Sequence, residues 1–407
     1  MAFVPPPDPR KPAIPYRPGY SFSIRRHVPP KPNCETRREE LRRLWYSATQ
    51  TDWCLQYPPQ ETPPPADAGG PEHTVHIVDA ISCYDGRMGQ IVRCRLDDNR
   101  AGGKLYVAKT FDALYYPADH TDDFVREAAA YGVLSACGVN GRYTPTYHGA
   151  WTFDMPVPAG PGSVPRSRPV RMILMDWIKG ASMQSYMDTD RVGTVPPACR
   201  LAILGKALEA DARISACGIH NEDFLPRNVM VADASSSSEA GQPVPDVYVI
   251  DFDHSLVMDH APGPGGQRKE KVLPRSPMYH YWDSTFEEFA SLWYFGRWIP
   301  QPYREQPAAF RGWLKSRWAH SRGFRTGAVS NFFLWNQKIR RIISSFGVGG
   351  IGTRQEAQEG LSHPVLLFDD GDQANITAIV PNRVFQKDKD KTDPVKKSNC
   401  FLEWSLA

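Results

Sequence analysis

The 407-residue sequence has no apolar run approaching the roughly 18 residues that a membrane-spanning helix requires. Met1–Pro32 is rich in proline and arginine and lacks the apolar stretch of a secretory signal. An intracellular location, cytoplasmic or nuclear, with no membrane partner, is therefore expected. None of the eight cysteines stands in a C-x-x-C pair, so free thiols are expected rather than a disulfide framework. The eleven histidines show no metal-ligand spacing, and His73 and His76 read as structural. A formal net charge of +3 is close to balance and gives no argument for a nucleic-acid partner. No internal repeat is visible.

What is present is enough apolar material for a core: 41% hydrophobic residues and eleven tryptophans. Residues 1–72 read as a Pro-rich extension, irregular over 1–33, with a short amphipathic helix at 35–47 and a linker at 58–71 (PPQETPPPADAGGP). The prolines at 5–7 and 63–65 suit SH3- or WW-type partners, although linkers look the same. From His73 onward, strand-like stretches at 74–81, 90–96 and 104–110 precede a helical pattern at 122–136. Strands at 147–153 and 170–177 follow, flanking a loop at 154–169. This order describes a small antiparallel sheet with one helix, 73–178.

Helical patterns dominate 179–348: 197–216, with Gly218 as a C-cap, then 284–298, 306–318 and 330–346. Two short strands, 229–232 and 247–252, interrupt them around a polar insertion. The tail 349–407 carries one strand-like run, 375–380, and an alternating-charge stretch. The fold class is α+β. Trp282, Trp293, Trp298, Trp313, Trp318 and Trp335 read as core of the helical part.

Five polar residues carry the chemistry. Lys109 closes a strand (VAK), and Glu127 lies on the helix that follows, where it could orient the ammonium toward phosphate oxygens. The bland alternative pairs Glu127 with Arg126 on a solvated face. In Gly218-Ile219-His220-Asn221-Glu222-Asp223-Phe224-Leu225-Pro226-Arg227-Asn228, Asp223 and Asn228 stand five apart on a loop between helix and strand. That spacing lets a carboxylate meet a substrate hydroxyl while the amide oxygen reaches a magnesium ion. Asp251 ends the apolar strand VYVID, where a carboxylate must find a partner such as a cation bridging phosphates, or serve as a helix cap.

In that order the residues resemble the eukaryotic protein-kinase superfamily, especially the divergent kinase-like proteins common in fungi, over roughly 73–300. The resemblance implies a bilobal fold: an antiparallel-sheet small lobe with one helix, and a mostly helical large lobe. It implies ATP and Mg²⁺ as cofactors. Lys109 matches the strand lysine and Glu127 its helix partner. Met175 matches the gatekeeper, with Asp176 and Ile178 in the hinge that binds adenine. Gly86 and Gly89 match the phosphate loop, Asp223 the catalytic base, and Asn228 and Asp251 the metal ligands.

The sequence also departs from the pattern. The loop Ser82–Gln90 keeps two glycines of the family's G-x-G-x-x-G. H-R-D becomes Asn221-Glu222-Asp223, with Glu222 expected to face solvent. The third residue of D-F-G is Asp253, expected to restrict the loop's backbone, and Pro274–Pro277 stands where a substrate-facing loop belongs. The implied activity is transfer of the γ-phosphoryl of ATP to a hydroxyl, of protein Ser/Thr or of a small-molecule alcohol. The alternatives are a pseudokinase acting as a binding module and an unrelated α+β protein.

Overall fold

The computed structural model describes residues 7–30, 48–58, 72–87, 89–97, 102–116, 120–157, 166–233, 244–258, 273–284, 292–325, 365–368, 376–379 and 401–404. The chain divides into two compact units, Met1–Gly327 and Ala328–Ala407.

The first unit opens with an antiparallel barrel rather than an open sheet. Its strands are β1 (Ser21–Arg26), β2 (His73–Ser82), β3 (Gln90–Leu96), β4 (Tyr106–Phe111), β5 (Tyr147–Val157) and β6 (Arg166–Asp176), closed in the order β1-β2-β3-β4-β6-β5. Inward positions alternate with outward ones, as pleating requires, so Val75, Ile77, Val92, Cys94, Ala108, Phe153, Met172 and Leu174 form one apolar interior.

Closure depends on β1, which lies in the stretch expected to be irregular. β1 pairs with β2 over Ser21–Ile24 and with β5 through Arg25 and Arg26. Its prolines flank the strand, and full closure removes both sheet edges. Helix α1 (Gln50–Gln56), also unexpected, is capped by the Thr49 side chain and seats Trp53 and Cys54 on the same core. The folded part therefore takes in residues well before His73. The helix expected at 35–47 lies outside the described residues.

Strands β5 and β6 also run further than expected, through Pro156 and Pro169. Over 153–157 and 166–170 each pairs on one side only, where a proline costs no ladder hydrogen bond. Helix α2 (His120–Ala136) follows β4 and agrees with its apolar period.

After β6 come β7 (Gly180–Ser182), α3 (Met183–Asp188), α4 (Pro197–Ala216), β8 (Ile219–Asn221), β9 (Val229–Ala232), β10 (Val247–Val249), β11 (Ser255–Val257), α5 (Pro277–His280) and α6 (Pro307–Trp318). Proline starts α4, and Gly218, at φ 88°, follows its last turn as the sequence predicts. Of the expected helix 284–298, the described portion is a 3-10 segment, Trp293–Trp298.

Trp298 and Trp318 are buried with Leu204, Leu208, Phe295 and Phe310, and Trp282 and Trp313 pack on them. Trp293 is exposed instead, and Trp335 lies outside the described residues. A further apolar cluster joins α2 (Phe124, Tyr131, Leu134) to α4 (Ala210, Ile214) and to Val249 and Phe252. The six described cysteines form no disulfide with one another.

The second unit has three short antiparallel strands, β12 (Val365–Phe368), β13 (Ile376–Ile379) and β14 (Phe401–Trp404), with β13 central. β13 falls at the expected strand 375–380, and the helix expected at 330–346 lies outside the described residues. No helix among the described residues is long and apolar enough to cross a membrane.

Candidate functional site

Lys109 is fixed by its strand. β4 lies between β3 and β6, and Lys109 sits opposite Ile91 on one side and Ile173 on the other. Its Nζ lies 2.7 Å from Glu127 Oε2, 2.7 Å from Asp251 Oδ1 and 3.0 Å from Asp253 Oδ2. Arg126, the bland partner for Glu127, instead pairs with Asp123 at 2.9 Å.

The pairings leave three carboxylates around one ammonium. Burial opposes the lysine charge, but Asp251, Glu127 and Asp253 outweigh it and hold the pKa well above the ordinary lysine value. Burial pushes Glu127 up to about 8 against the pull of Lys109. Burial also raises Asp253. Partial burial opposes the charge of Asp251 too, yet Lys109 holds it below the usual aspartate value. At the N-terminal end of α2, burial lifts Asp123 to about 6.

Glu127 is 1% exposed, and its Oε2 lies 2.7 Å from Lys109 Nζ. One oxygen each from Glu127, Asp251 and Asp253 lie within 4.8 Å of one another. An all-oxygen donor set of this kind suits a hard divalent cation.

Two antiparallel pairings bring the remaining residues alongside. β8, just before Asp223, pairs with β11, just after Asp253, matching Asn221 with Ser255 and His220 with Leu256. β9, just after Asn228, pairs with β10, just before Asp251. The loops 222–228 and 250–254 are therefore held side by side, and Ile250 N–H donates to Asn228 O at 2.9 Å.

Asn228 is buried, and its Nδ2 donates to the Asp223 carbonyl at 3.0 Å and to Asp223 Oδ2 at 2.7 Å. This orientation leaves the amide oxygen as the atom able to meet a cation. Arg227 Nη2 donates to both Asp223 oxygens, at 2.6 and 2.8 Å. Glu222 is exposed, as expected. Lys109 thus joins Glu127 and Asp251, Asn228 joins Asp223, and the Ile250 N–H bond to Asn228 O sets the two groups side by side.

Phe252 sets the depth of the acidic loop. It is fully buried and meets Tyr131 of α2 edge-on at 5.1 Å, and Tyr131 in turn stacks on Tyr147 at 5.2 Å. Asp251 takes φ 67°, in the left-handed region that aspartate tolerates better than most residues. The sequence reading expects the backbone constraint at Asp253. The structure puts it at Asp251 and points the Asp253 carboxylate inward at Lys109. Asp253 is thus a site residue that the sequence analysis missed. The signal was available, because a carboxylate next to a buried phenylalanine needs a partner.

The other expected positions are tied into the scaffold. Gly89 rests on Lys109, where a Cβ would come within 2.7 Å of Cε. Gly86, at φ 80°, donates its N–H to Tyr115 O at 2.8 Å. Asp176 donates its N–H to Thr146 O at 2.9 Å, and its carboxylate takes Lys104 and His148, each at 2.7 Å. That backbone N–H is therefore not open to a ligand. Ile178 N–H meets no backbone carbonyl among the described residues. Ser276, of the Pro274–Pro277 stretch, caps α5 and is buried.

No protein-family model matches the chain, and no curated protein matches it. Among solved structures it is similar to Rad53 residues 1–466 in complex with AMP-PNP, at 15% identity and a TM-score of 0.29 over 44% of this chain. It is also similar to the kinase domain of PknI from Mycobacterium tuberculosis, at 14% identity and a TM-score of 0.28 over 46% of this chain. The alignments span 39% and 62% of those two chains, less than two thirds of either.

Proposed function

We propose that the chain is an ATP- and Mg²⁺-dependent phosphotransferase with a bilobal, kinase-like arrangement, acting on a hydroxyl of protein Ser/Thr. The observation that carries this reading is the meeting of two groups, Glu127–Lys109–Asp251 and Asn228–Asp223, joined by the Ile250 N–H bond to Asn228 O. It gathers a buried ammonium, metal-competent oxygens and a carboxylate from four separate stretches of sequence.

In the reaction the acceptor oxygen bonds to the γ-phosphorus as the bond to the β,γ-bridging oxygen breaks, leaving ADP. Asp223 takes the hydroxyl proton, held in place by Asn228 and Arg227. Lys109 orients phosphate oxygens as a fixed point charge. Asp251 and the Asn228 amide oxygen would hold Mg²⁺, with Asp253 within reach of the same cluster. When bound, the metal offsets the negative charge of the phosphates. An oxygen-only donor set with excess negative charge fits that ion.

A second reading has its own observation. Both Asp223 oxygens are engaged by Arg227, and one also by Asn228, which suits a nucleotide-binding module that does not transfer. Thermal shift with ATP plus Mg²⁺ beside ATP plus EDTA tests nucleotide binding. Metal-dependent stabilisation that disappears in Asp251→Asn is expected, and no shift in either condition refutes the reading. Transfer of labelled phosphate to mixed protein and metabolite acceptors, lost in Asp223→Asn, separates enzyme from module.

A further inference from the structure

The turn between β2 and β3 lacks one of the glycines of a phosphate-gripping loop, and its position is set from outside the hairpin. Gln90 Nε2 closes the turn by donating to Tyr84 O at 3.1 Å and Arg87 O at 3.2 Å. Two further contacts tie it to other elements. Gly86 N–H donates to Tyr115 O at 2.8 Å. Asp85 pairs with Lys11, which also reaches Gln50 of α1.

Tyr115 is itself anchored on the N-terminal segment. It is buried, and its hydroxyl donates to Ala13 O at 3.1 Å and lies 3.4 Å from Pro12 O. Lys11 Nζ stands 5.4 Å from the centre of its ring. The segment is pinned in turn. Asp8 accepts from Thr51 N–H at 2.7 Å, Arg10 pairs with Asp52 at 2.7 Å, and Tyr16 O–H donates to buried Asp112 at 2.6 Å.

The far foot of the turn is Gly89, which lies against the Lys109 stem. A shift of the turn is therefore felt at the ammonium. The Lys11 side chain is 11% exposed and that of Asp85 57%, so their pair is half shielded. Such a pair contributes modestly to folding but can bias a loop. None of the loop-facing groups of Lys11 or Tyr115 belongs to the cluster around Lys109.

We propose that residues 8–16 form a positioning strap for the phosphate-facing turn, with Lys11 and the Tyr115 hydroxyl as its positioning groups. In this role they stand in for the missing glycine: a loop that cannot shape itself to the phosphates is held in shape from outside. The proposal rests on the nucleotide reading above, and its test separates the two.

The test uses the full chain as wild type, Lys11→Glu, Tyr115→Phe and the exchange Lys11→Glu/Asp85→Lys. Amide hydrogen exchange over 83–89 is measured without nucleotide, and ATP and adenosine are each titrated in the presence of Mg²⁺. Lys11→Glu is expected to raise exchange in 83–89 and to weaken ATP about three- to tenfold. Adenosine, which has no phosphate, should change less than about twofold. Tyr115→Phe should move the same quantities in the same direction, and the charge exchange should restore them.

Unchanged exchange in both single variants overturns the strap. Raised exchange with ATP and adenosine weakened equally overturns its role in phosphate binding. If the wild type binds neither ATP nor adenosine, the nucleotide reading fails, and the exchange data still decide whether the strap holds the turn.

Discussion

Replacing Lys109 with methionine should destabilise the protein by an amount that depends on pH, and the structure sets the size. The substitution keeps the stem that packs under Gly89 and removes the ammonium shared by Glu127, Asp251 and Asp253. Asp251 owes its lowered pKa to that ammonium, which overcomes its burial. Without it, Asp251 must stay charged beside Glu127 and Asp253 or take a proton.

The proton route caps the loss. From an ordinary value of 3.8, protonation costs about 4 kcal/mol at pH 7 and about 2 kcal/mol at pH 5, at about 1.4 kcal/mol per unit. The side chain is 29% exposed, so water shares the load and both figures are ceilings. The pH 7 figure agrees with the roughly 3–5 kcal/mol found when one member of a buried pair is removed. Urea denaturation of wild type and Lys109→Met at the two pH values measures the gap. A gap below about 1 kcal/mol at pH 7, or equal gaps at both pH values, refutes the assignment of Lys109 as counter-ion.

Glu127 titrates in the opposite sense. Its folded pKa, raised to about 8 by burial from 4.5, gives stability that is complete below 4.5 and lost as pH rises through 8. Glu127→Gln should flatten that alkaline decline in a stability profile from pH 5 to 9, and an unaltered profile excludes Glu127 as its source. Gly89→Ala puts a methyl 2.7 Å from Cε of a lysine that three carboxylates hold still. A loss of about 1–3 kcal/mol in urea is expected, and wild-type stability means Lys109 is free to move. Tyr16→Phe removes a donor to buried, charged Asp112, and about 1.5–3 kcal/mol should be lost. An effect near zero would detach the N-terminal segment from the folded unit.

The parts legible in the sequence were those whose residues state their own environment. β2 to β6 alternate, and α2 and α4 carry apolar residues at helical spacing. β1 does not, because Ile24 is its one fully buried position and the rest is serine, arginine and a half-buried phenylalanine. Its pairing on both sides makes it a strand, and no local pattern encodes that. Lys109 and Glu127 lie within β4 and α2, Asp223, Asn228 and Asp251 lie beside the short strands β8 to β10, and their order along the chain can be read directly. Asp253 stands where the family pattern has a flexible glycine, and that position does not say where its charge goes. The ties of Gly86 to Tyr115 and of Asp85 to Lys11 span distances that sequence patterns do not carry.

The two readings of Asp223 divide on Arg227. Its guanidinium covers both carboxylate oxygens, and it is 57% exposed. An exposed ion pair of this kind is worth about 0.2–1 kcal/mol, so moving the arginine aside for an acceptor hydroxyl costs no more than about fivefold in rate. On the transferase reading, Arg227 would position the carboxylate without blocking it. Asn228 is buried and donates twice to Asp223, so removing it leaves polar groups unsatisfied, at about 1–3 kcal/mol. Arg227→Ala should accordingly leave stability within about 1 kcal/mol of wild type and change transfer by less than about tenfold. Asn228→Ala should lose both stability and metal-dependent nucleotide binding. If Arg227→Ala instead raises transfer from nothing to a measurable rate, the arginine is an inhibitory contact, and the native chain is the binding module rather than the enzyme.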